Sequence, residues 1–125
     1  MTDVHSGIGV ELELVGDILH ARFSLEDLEL ETVQELISRR KRIIKGKPFG
    51  VLVERMDVKR SSREARECLG SAESLEDIEA AAIVVDSPFK AGLVNYFLKM
   101  AGPEFPTRMF TNRKQAERWL TKQIQ

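Results

Sequence analysis

AAAIVVDSP, residues 80–88, decides the fold. From Ala80 to Val85 every residue is apolar, Glu79 and Asp86 flank the run, and Pro88 closes it. A half-buried strand would alternate apolar with polar residues, whereas a short unbroken apolar run bounded by breakers reads as a strand covered on both faces. Such a strand belongs inside a sheet, with helices above and below. Ser87 and Pro88 then open a helix, because serine caps an N-terminus and proline at the first helical position gives up no hydrogen bond it would have made. That helix runs to Met100 and stops at Gly102–Pro103.

The pattern repeats on either side. Val10, Leu12 and Leu14 alternate with Glu11 and Glu13, Gly16–Asp17 offers a turn, and Ile18 to Phe23 alternates again, which predicts a hairpin. From Leu28 to Lys45 apolar residues recur at three- and four-residue steps, with acids early, bases late and Gly46 and Pro48 beyond, the signature of a helix. Phe49 to Glu54 reads as a third strand, Met56 to Arg60 as a loop, and Ser62 to about Ala72 as a short helix. Thr107 to Thr111 makes the last strand. Asn112 caps a final helix with Ala116, Trp119, Leu120 and Ile124 on one side. The order ββαβαβαβα predicts an α/β domain with a mostly parallel, mixed five-stranded sheet, helices packed on it, and an antiparallel edge from the opening hairpin. Residues 1–9 are expected to be a flexible N-terminus, and residues 10–125 a single domain.

Composition excludes several classes. A chain of 125 residues hides about two-thirds of its unfolded surface, enough for a real core. Apolar residues at 42%, charged residues at 31% and a net charge of −1 describe a globule without the cationic excess of a general nucleic-acid binder. A single cysteine, Cys68, cannot form an internal disulfide and points to a reducing compartment. The opening MTDVHSGIG lacks a secretion signal, and no apolar run approaches the ~20 residues of a membrane helix, so a cytoplasmic protein without stable membrane insertion is expected. No catalytic residue, metal or cofactor is predicted. His5 and His20 have no Cys or His neighbour at ligand spacing, Gly7-Ile-Gly9 precedes a strand instead of following one, and there is neither a phosphate-loop Gly-Lys-Ser/Thr nor a Gly-x-Ser-x-Gly elbow.

Two basic stretches and one helix remain. In VKRSSREAR, residues 58–66, Ser61 and Glu64 have the spacing of a capping box. A phosphate on Ser61 or Ser62, or a bound anion, would meet the same helix start, with Lys59, Arg60, Arg63 and Arg66 close by. RRKRIIKGK, residues 39–47, has no aromatics to stack on bases and reads as a solvated helix end, so no nucleic-acid partner is expected. In the helix from Pro88, residues Phe89, Leu93, Tyr96, Phe97 and Met100 form one apolar stripe and Ala91, Val94, Leu98 and Ala101 a second. Together they span roughly 220°, more than a surface helix needs to face its own sheet. Neighbouring helices, a second copy in a homodimer, a protein partner or an apolar ligand would each cover the surplus.

GKPFGVLVE, SSREARECL, AAAIVVDSPFKAGLVNYFLK and FPTRMFTNRKQAERWL, taken in this order, resemble the STAS domain superfamily of anti-sigma-factor antagonists, and more closely its bacterial STAS/SEC14-type branch. The resemblance covers nearly the whole chain after Val10. It implies a non-enzymatic regulatory or protein-binding module with its recognition surface at the start of the helix after the third strand. Regulatory members carry there a serine or threonine that a partner kinase phosphorylates, and Ser61 or Ser62 matches it by position. The stretch from Val84 to Phe110 is also similar to the SEC14 lipid-transfer pattern, with Asp86, Ser87, Pro88, Phe89 and Arg108 in comparable places, which implies an apolar ligand or lipid as the alternative. The candidate surface therefore comprises Asp57, Asp86, Ser87, Phe89, Leu93 and Phe97 beside the Ser61–Arg66 group.

Overall fold

In the computed structural model, which describes residues 2–3 and 9–124, Ile78–Val84 is a strand with partners on both sides. The elements in chain order are β1 (Thr2–Asp3), β2 (Val10–Val15), β3 (Ile18–Leu28), α1 (Leu30–Ile44), β4 (Phe49–Ser61), α2 (Arg63–Leu69), α3 (Ala72–Leu75), β5 (Ile78–Val84), α4 (Pro88–Ala101), β6 (Thr107–Phe110) and α5 (Arg113–Gln123). The sheet runs β1-β2-β3-β4-β5-β6, antiparallel from β1 to β3 and parallel from β3 to β6. This is the expected mixed α/β sheet of five strands, with the two-residue β1 added at its edge. The expected flexible N-terminus, residues 1–9, falls largely outside the described residues, His5 and Gly7 included.

Neighbouring parallel strands joined in sequence by right-handed crossovers carry their helices on one face. Accordingly Val33, Ile37, Ile43 and Ile44 of α1, Ala65 of α2 and Val94 of α4 share a core with Leu12, Leu19, Ala21 and Phe23. On the other face α5 lies alone. Ala116 and Leu120 pack on Ile18, Leu52, Ala80 and Ala82, and Trp119 meets Phe110 with ring centroids 5.7 Å apart. Small residues let α5 approach: a Cβ at Gly50 would stand 3.2 Å from Leu120 Cδ1 and 3.2 Å from Ile124 Cγ2.

Three expectations need correction. Met56–Arg60 is strand, not loop: β3 and β4 stay paired as far as Leu28 and Ser61, and half-buried Met56 and Val58 alternate with exposed Arg55, Asp57 and Lys59. The ladder supplies the backbone hydrogen bonds, and cross-strand ion pairs supply the side-chain contacts of this charged segment. The expected helix from Ser62 to about Ala72 is two helices, α2 and α3, interrupted at Gly70 and Ser71. Gly70 is where the chain passes the end of α4, since a Cβ there would lie 3.1 Å from Ala101 Cβ. Finally, Arg39 and Arg40 are not on a solvated helix end; they are 1% and 6% exposed. Arg39 Nη2 donates to Val10 O at 3.0 Å. Arg40 donates to Glu76 O at 3.1 Å and Glu73 O at 2.9 Å and stacks over Phe49, so these two charges fasten α1 to neighbouring carbonyls while Lys41, Arg42, Lys45 and Lys47 stay in solvent.

Candidate functional site

The parallel strands β4 and β5 both run toward the carboxyl edge of the sheet, where open α/β folds place their ligands, but β4 continues eight residues past Val53, the last to pair with β5. β4 delivers Ser61 and then Ser62, whose Oγ accepts from Ala65 N at 3.1 Å and caps α2. The cap is thus Ser62, not the Ser61 of the Ser61/Glu64 pattern. Ser61 is the last strand residue, opposite Leu28, and its hydroxyl accepts instead from Arg66 Nη1 at 3.0 Å. β5 leads to Ser87, which caps α4 by accepting from Lys90 N at 3.1 Å, with Pro88 at the first helical position. Lys90 ties the start of α4 to the middle of β4: its Nζ lies 2.6 Å from Asp57 Oδ1 and 3.0 Å from Asp86 Oδ1. Hydrogen bonds to Asp57 and Asp86 hold its pKa above the usual lysine value.

Most of the cationic cluster is already matched by acid. Arg60 makes a two-point contact with Asp27, Nε to Oδ1 at 2.6 Å and Nη2 to Oδ2 at 3.1 Å, which holds the Asp27 carboxyl below its ordinary range. Lys59 reaches Glu26 at 3.3 Å, and Arg63 reaches Glu67 at 2.9 Å one turn along α2. Arg66 differs. Among the described residues its contacts are Ser61 O at 2.6 Å and Ser61 Oγ, both neutral. Of the residues expected at the surface, Asp57, Asp86, Phe89 and Leu93 are exposed, while Ser61, Ser62, Arg66, Ser87 and Phe97 are half-buried.

Beneath α4 lies a feature the sequence did not announce. A cavity of about 510 Å³ separates α4 from the sheet, walled by Val53, Met56, Ile83, Val94, Leu98 and other apolar side chains, with Ser61 and Arg66 at the β4 end. Only Val94 of α4 is fully buried. Its outer stripe faces solvent, with Phe89 71%, Leu93 48%, Tyr96 56% and Met100 71% exposed.

A second charged network sits on the α5 face of the sheet. His20 Nδ1 meets Glu54 Oε1; Arg22 reaches Glu54 at 3.0 Å, Glu11 at 3.2 Å and Glu13 at 3.4 Å; and Arg113 at the start of α5 reaches Glu54 at 3.0 Å. Burial pushes the Glu54 carboxyl up, but hydrogen bonds from His20 and Arg22 and the nearby charges outweigh it, and its pKa ends below the ordinary value. The alternation in VELELV and ILHARF is the signal that could have found this network, because it puts Glu11, Glu13, His20 and Arg22 on one face of a hairpin. Among the described residues no three His, Cys, Asp or Glu side chains are grouped to share a metal ion, and no helix is long and apolar enough to cross a membrane.

Layering and topology define a SpoIIAA-like domain, the STAS-type fold. A solved structure of an uncharacterized protein of the DUF3478 family with a SpoIIAA-like fold, from Shewanella loihica PV-4, superimposes with a TM-score of 0.64 at 14% identity, covering 89% of this chain and 91% of that one. Residues 12–124 match the model of a domain of unknown function, DUF7793, and the chain belongs to that family. No curated protein matches the sequence.

Proposed function

We propose that this domain is a non-enzymatic regulatory module that binds a protein partner through the edge where β4 and β5 end. The observation carrying this reading is the Lys90 bridge, which ties Asp86, just before α4, to Asp57 on β4. A rigid, largely charge-balanced patch of this kind suits recognition of another surface, where matched polar groups set specificity. Ser61 is the candidate phospho-acceptor, or the anchor of an anion, because its hydroxyl already lies against Arg66, whose charge no carboxylate among the described residues meets. A phosphate there would form charge-assisted hydrogen bonds with Arg66. Ser62 is the weaker candidate, since its oxygen is engaged in capping. The absence of chemistry in this reading is supported by the position of His20, which is paired with Glu54 on the opposite face of the sheet, away from both serines.

Affinity capture from native lysate with the wild type and an Arg63→Ala/Arg66→Ala double variant tests the reading. A protein retained by the wild type and lost from the double variant is the expected result. Equal retention by both, or no retained protein, refutes this surface. Mass spectrometry of the native protein reports on the switch: modification at Ser61 is expected, and unmodified Ser61 across growth conditions removes the phosphorylation step.

A further inference from the structure

Exposed apolar surface is concentrated on α4. Among the described residues the exposed large hydrophobic side chains are Val15, Phe89, Leu93, Tyr96 and Met100, and four of these five stand on this one helix. At ~100° per residue those four fall within a sector of about 60°, a single narrow stripe. They are 48% to 71% exposed. With large side chains of ~150–250 Å² each, the stripe leaves roughly 500 Å² of apolar surface in water. That lies toward the top of the ~300–600 Å² found for the largest patch of an ordinary monomer, and patches of this size mark contact sites.

Two properties of the stripe select a second copy of this chain as its occupant. The first is spacing. Residues 89, 93, 96 and 100 step by four, three and four, so the stripe reads the same in both directions. Two α4 helices laid antiparallel about a two-fold axis set Leu93 against Tyr96 of the copy and Phe89 against Met100, each contact occurring twice, as an isologous interface requires. The second is charge. The start of α4 holds Asp57, Asp86 and Lys90, one negative charge in excess. The last turn holds Lys99, exposed and with no carboxylate partner among the described residues. Antiparallel apposition puts the positive end of each helix against the negative end of the other, within the ~8 Å over which surface charges act at physiological salt.

We propose that α4 is the interface of a two-fold homodimer, its exposed stripe packed antiparallel on α4 of a second copy. The two stripes together bury roughly 1,000 Å², the size at which an interface becomes specific, which predicts a dimer that forms and dissociates in the micromolar range. The cavity beneath α4 keeps contact with solvent in this dimer through its β4 end, where exposed Lys59 and Arg60 line it. The dimer is independent of the partner-binding reading, because Arg63 and Arg66, on which that reading is tested, are not in the stripe.

Sedimentation velocity of the full chain from about 1 µM to about 500 µM tests it, a range that brackets the affinity expected of so small an interface. A shift from monomer to dimer is expected across the series. Leu93→Arg, at the centre of the stripe, should raise the dimer Kd at least ~30-fold; if it does not fold by circular dichroism, Tyr96→Arg replaces it. Lys99→Glu and Asp86→Lys should each weaken self-association about tenfold by setting like charges together. An equimolar mixture of those two variants should recover the dimer, since in the mixed pair each helix end again meets the opposite charge. The proposal is overturned by a monomer at every concentration, which would leave the stripe to a different protein or an apolar ligand. It is equally overturned by a dimer that a folded stripe variant does not weaken, or by a mixture that associates no better than its separate components.

Discussion

One substitution made at two glycines should move stability in opposite directions, and the difference tests how the two faces of the sheet are packed. Gly50 lies on β4 beneath α5, and an added Cβ would sit 3.2 Å from Leu120 Cδ1, 3.3 Å from Leu120 Cγ and 3.2 Å from Ile124 Cγ2. Each contact is closer than ordinary van der Waals distance, and Leu120 is fully buried and cannot swing away. Overpacking of a core costs ~1–3 kcal/mol, while replacing glycine by alanine returns ~0.4–1 kcal/mol by restricting the unfolded chain. Gly50→Ala should therefore destabilise by about 1 kcal/mol and lower Tm by about 4 °C for a chain of this size. Gly92 stands within α4, exposed, with nothing within 4 Å of the added Cβ. There the helix propensity of alanine, ~0.8–1 kcal/mol above glycine, is gained without a clash, and Tm should rise by a similar amount. Thermal and urea denaturation, with unchanged m-values, measure both. In a Leu120→Ala background the Gly50→Ala penalty should shrink, leaving only the Ile124 contact, a coupling of ~0.5–3 kcal/mol typical of residues in contact. A Gly50→Ala protein as stable as the wild type would refute the close seating of α5 on β4.

The two serines should separate in the same assay. Ser62→Ala removes the α2 cap and should cost ~1 kcal/mol, whereas Ser61→Ala should cost distinctly less; equal losses would contradict the assignment of the cap to Ser62. The Glu54 network predicts a pH dependence of definite sign. Because its folded pKa is depressed, Glu54 adds stability that is present above the unfolded glutamate value of ~4.3 and is lost as pH falls through the folded value. Glu54→Gln should thus lower Tm at neutral pH and converge on the wild type in acid, and a constant difference down to pH ~3 would show that the carboxylate charge is not what His20, Arg22 and Arg113 stabilise.

Signals carried by a few adjacent residues were legible in the sequence. The unbroken run from Ala80 to Val85, the Ser87–Pro88 start and the Asn112 cap, whose Oδ1 accepts from Gln115 N at 3.0 Å, each depend on local chemistry. Features set by strand register were not legible. Met56–Arg60 is polar enough to pass for a loop, and becomes strand because β3 runs equally far and places Asp27 opposite Arg60. Arg39 and Arg40 read as surface residues because their charge dominates a sequence pattern, yet the carbonyls they reach belong to β2 and to the α3 region, 29 to 36 residues away. The choice between Ser61 and Ser62 turned on one residue of strand length. Of the candidate site, the sequence indicated neither that β4 runs on past Asp57 to Ser61 nor that acids had already claimed Lys59, Arg60 and Arg63.

The alanines of β5 account for the contrast between the two faces. Ala80 and Ala82 point toward α5, where with Gly50 they let Leu120 and Ala116 pack without exposure. Alternation then turns Ala81 toward the α4 side, where a larger residue would have reached the helix. The same short side chains that close one face therefore leave space on the other, and α4, with a single buried residue, does not fill it. A sealed, dry void of about 510 Å³ would cost about 12 kcal/mol at ~24 cal/mol per Å³, comparable with the entire ~5–15 kcal/mol stability of a domain. Such a cost could not be carried, and the opening beside Phe89, Leu93 and Tyr96 removes it by letting the space exchange with solvent. The exposed stripe of α4 and the cavity beneath it are then two consequences of one packing decision: a helix held by its capped start and by Lys90, standing off from a strand too slender to meet it.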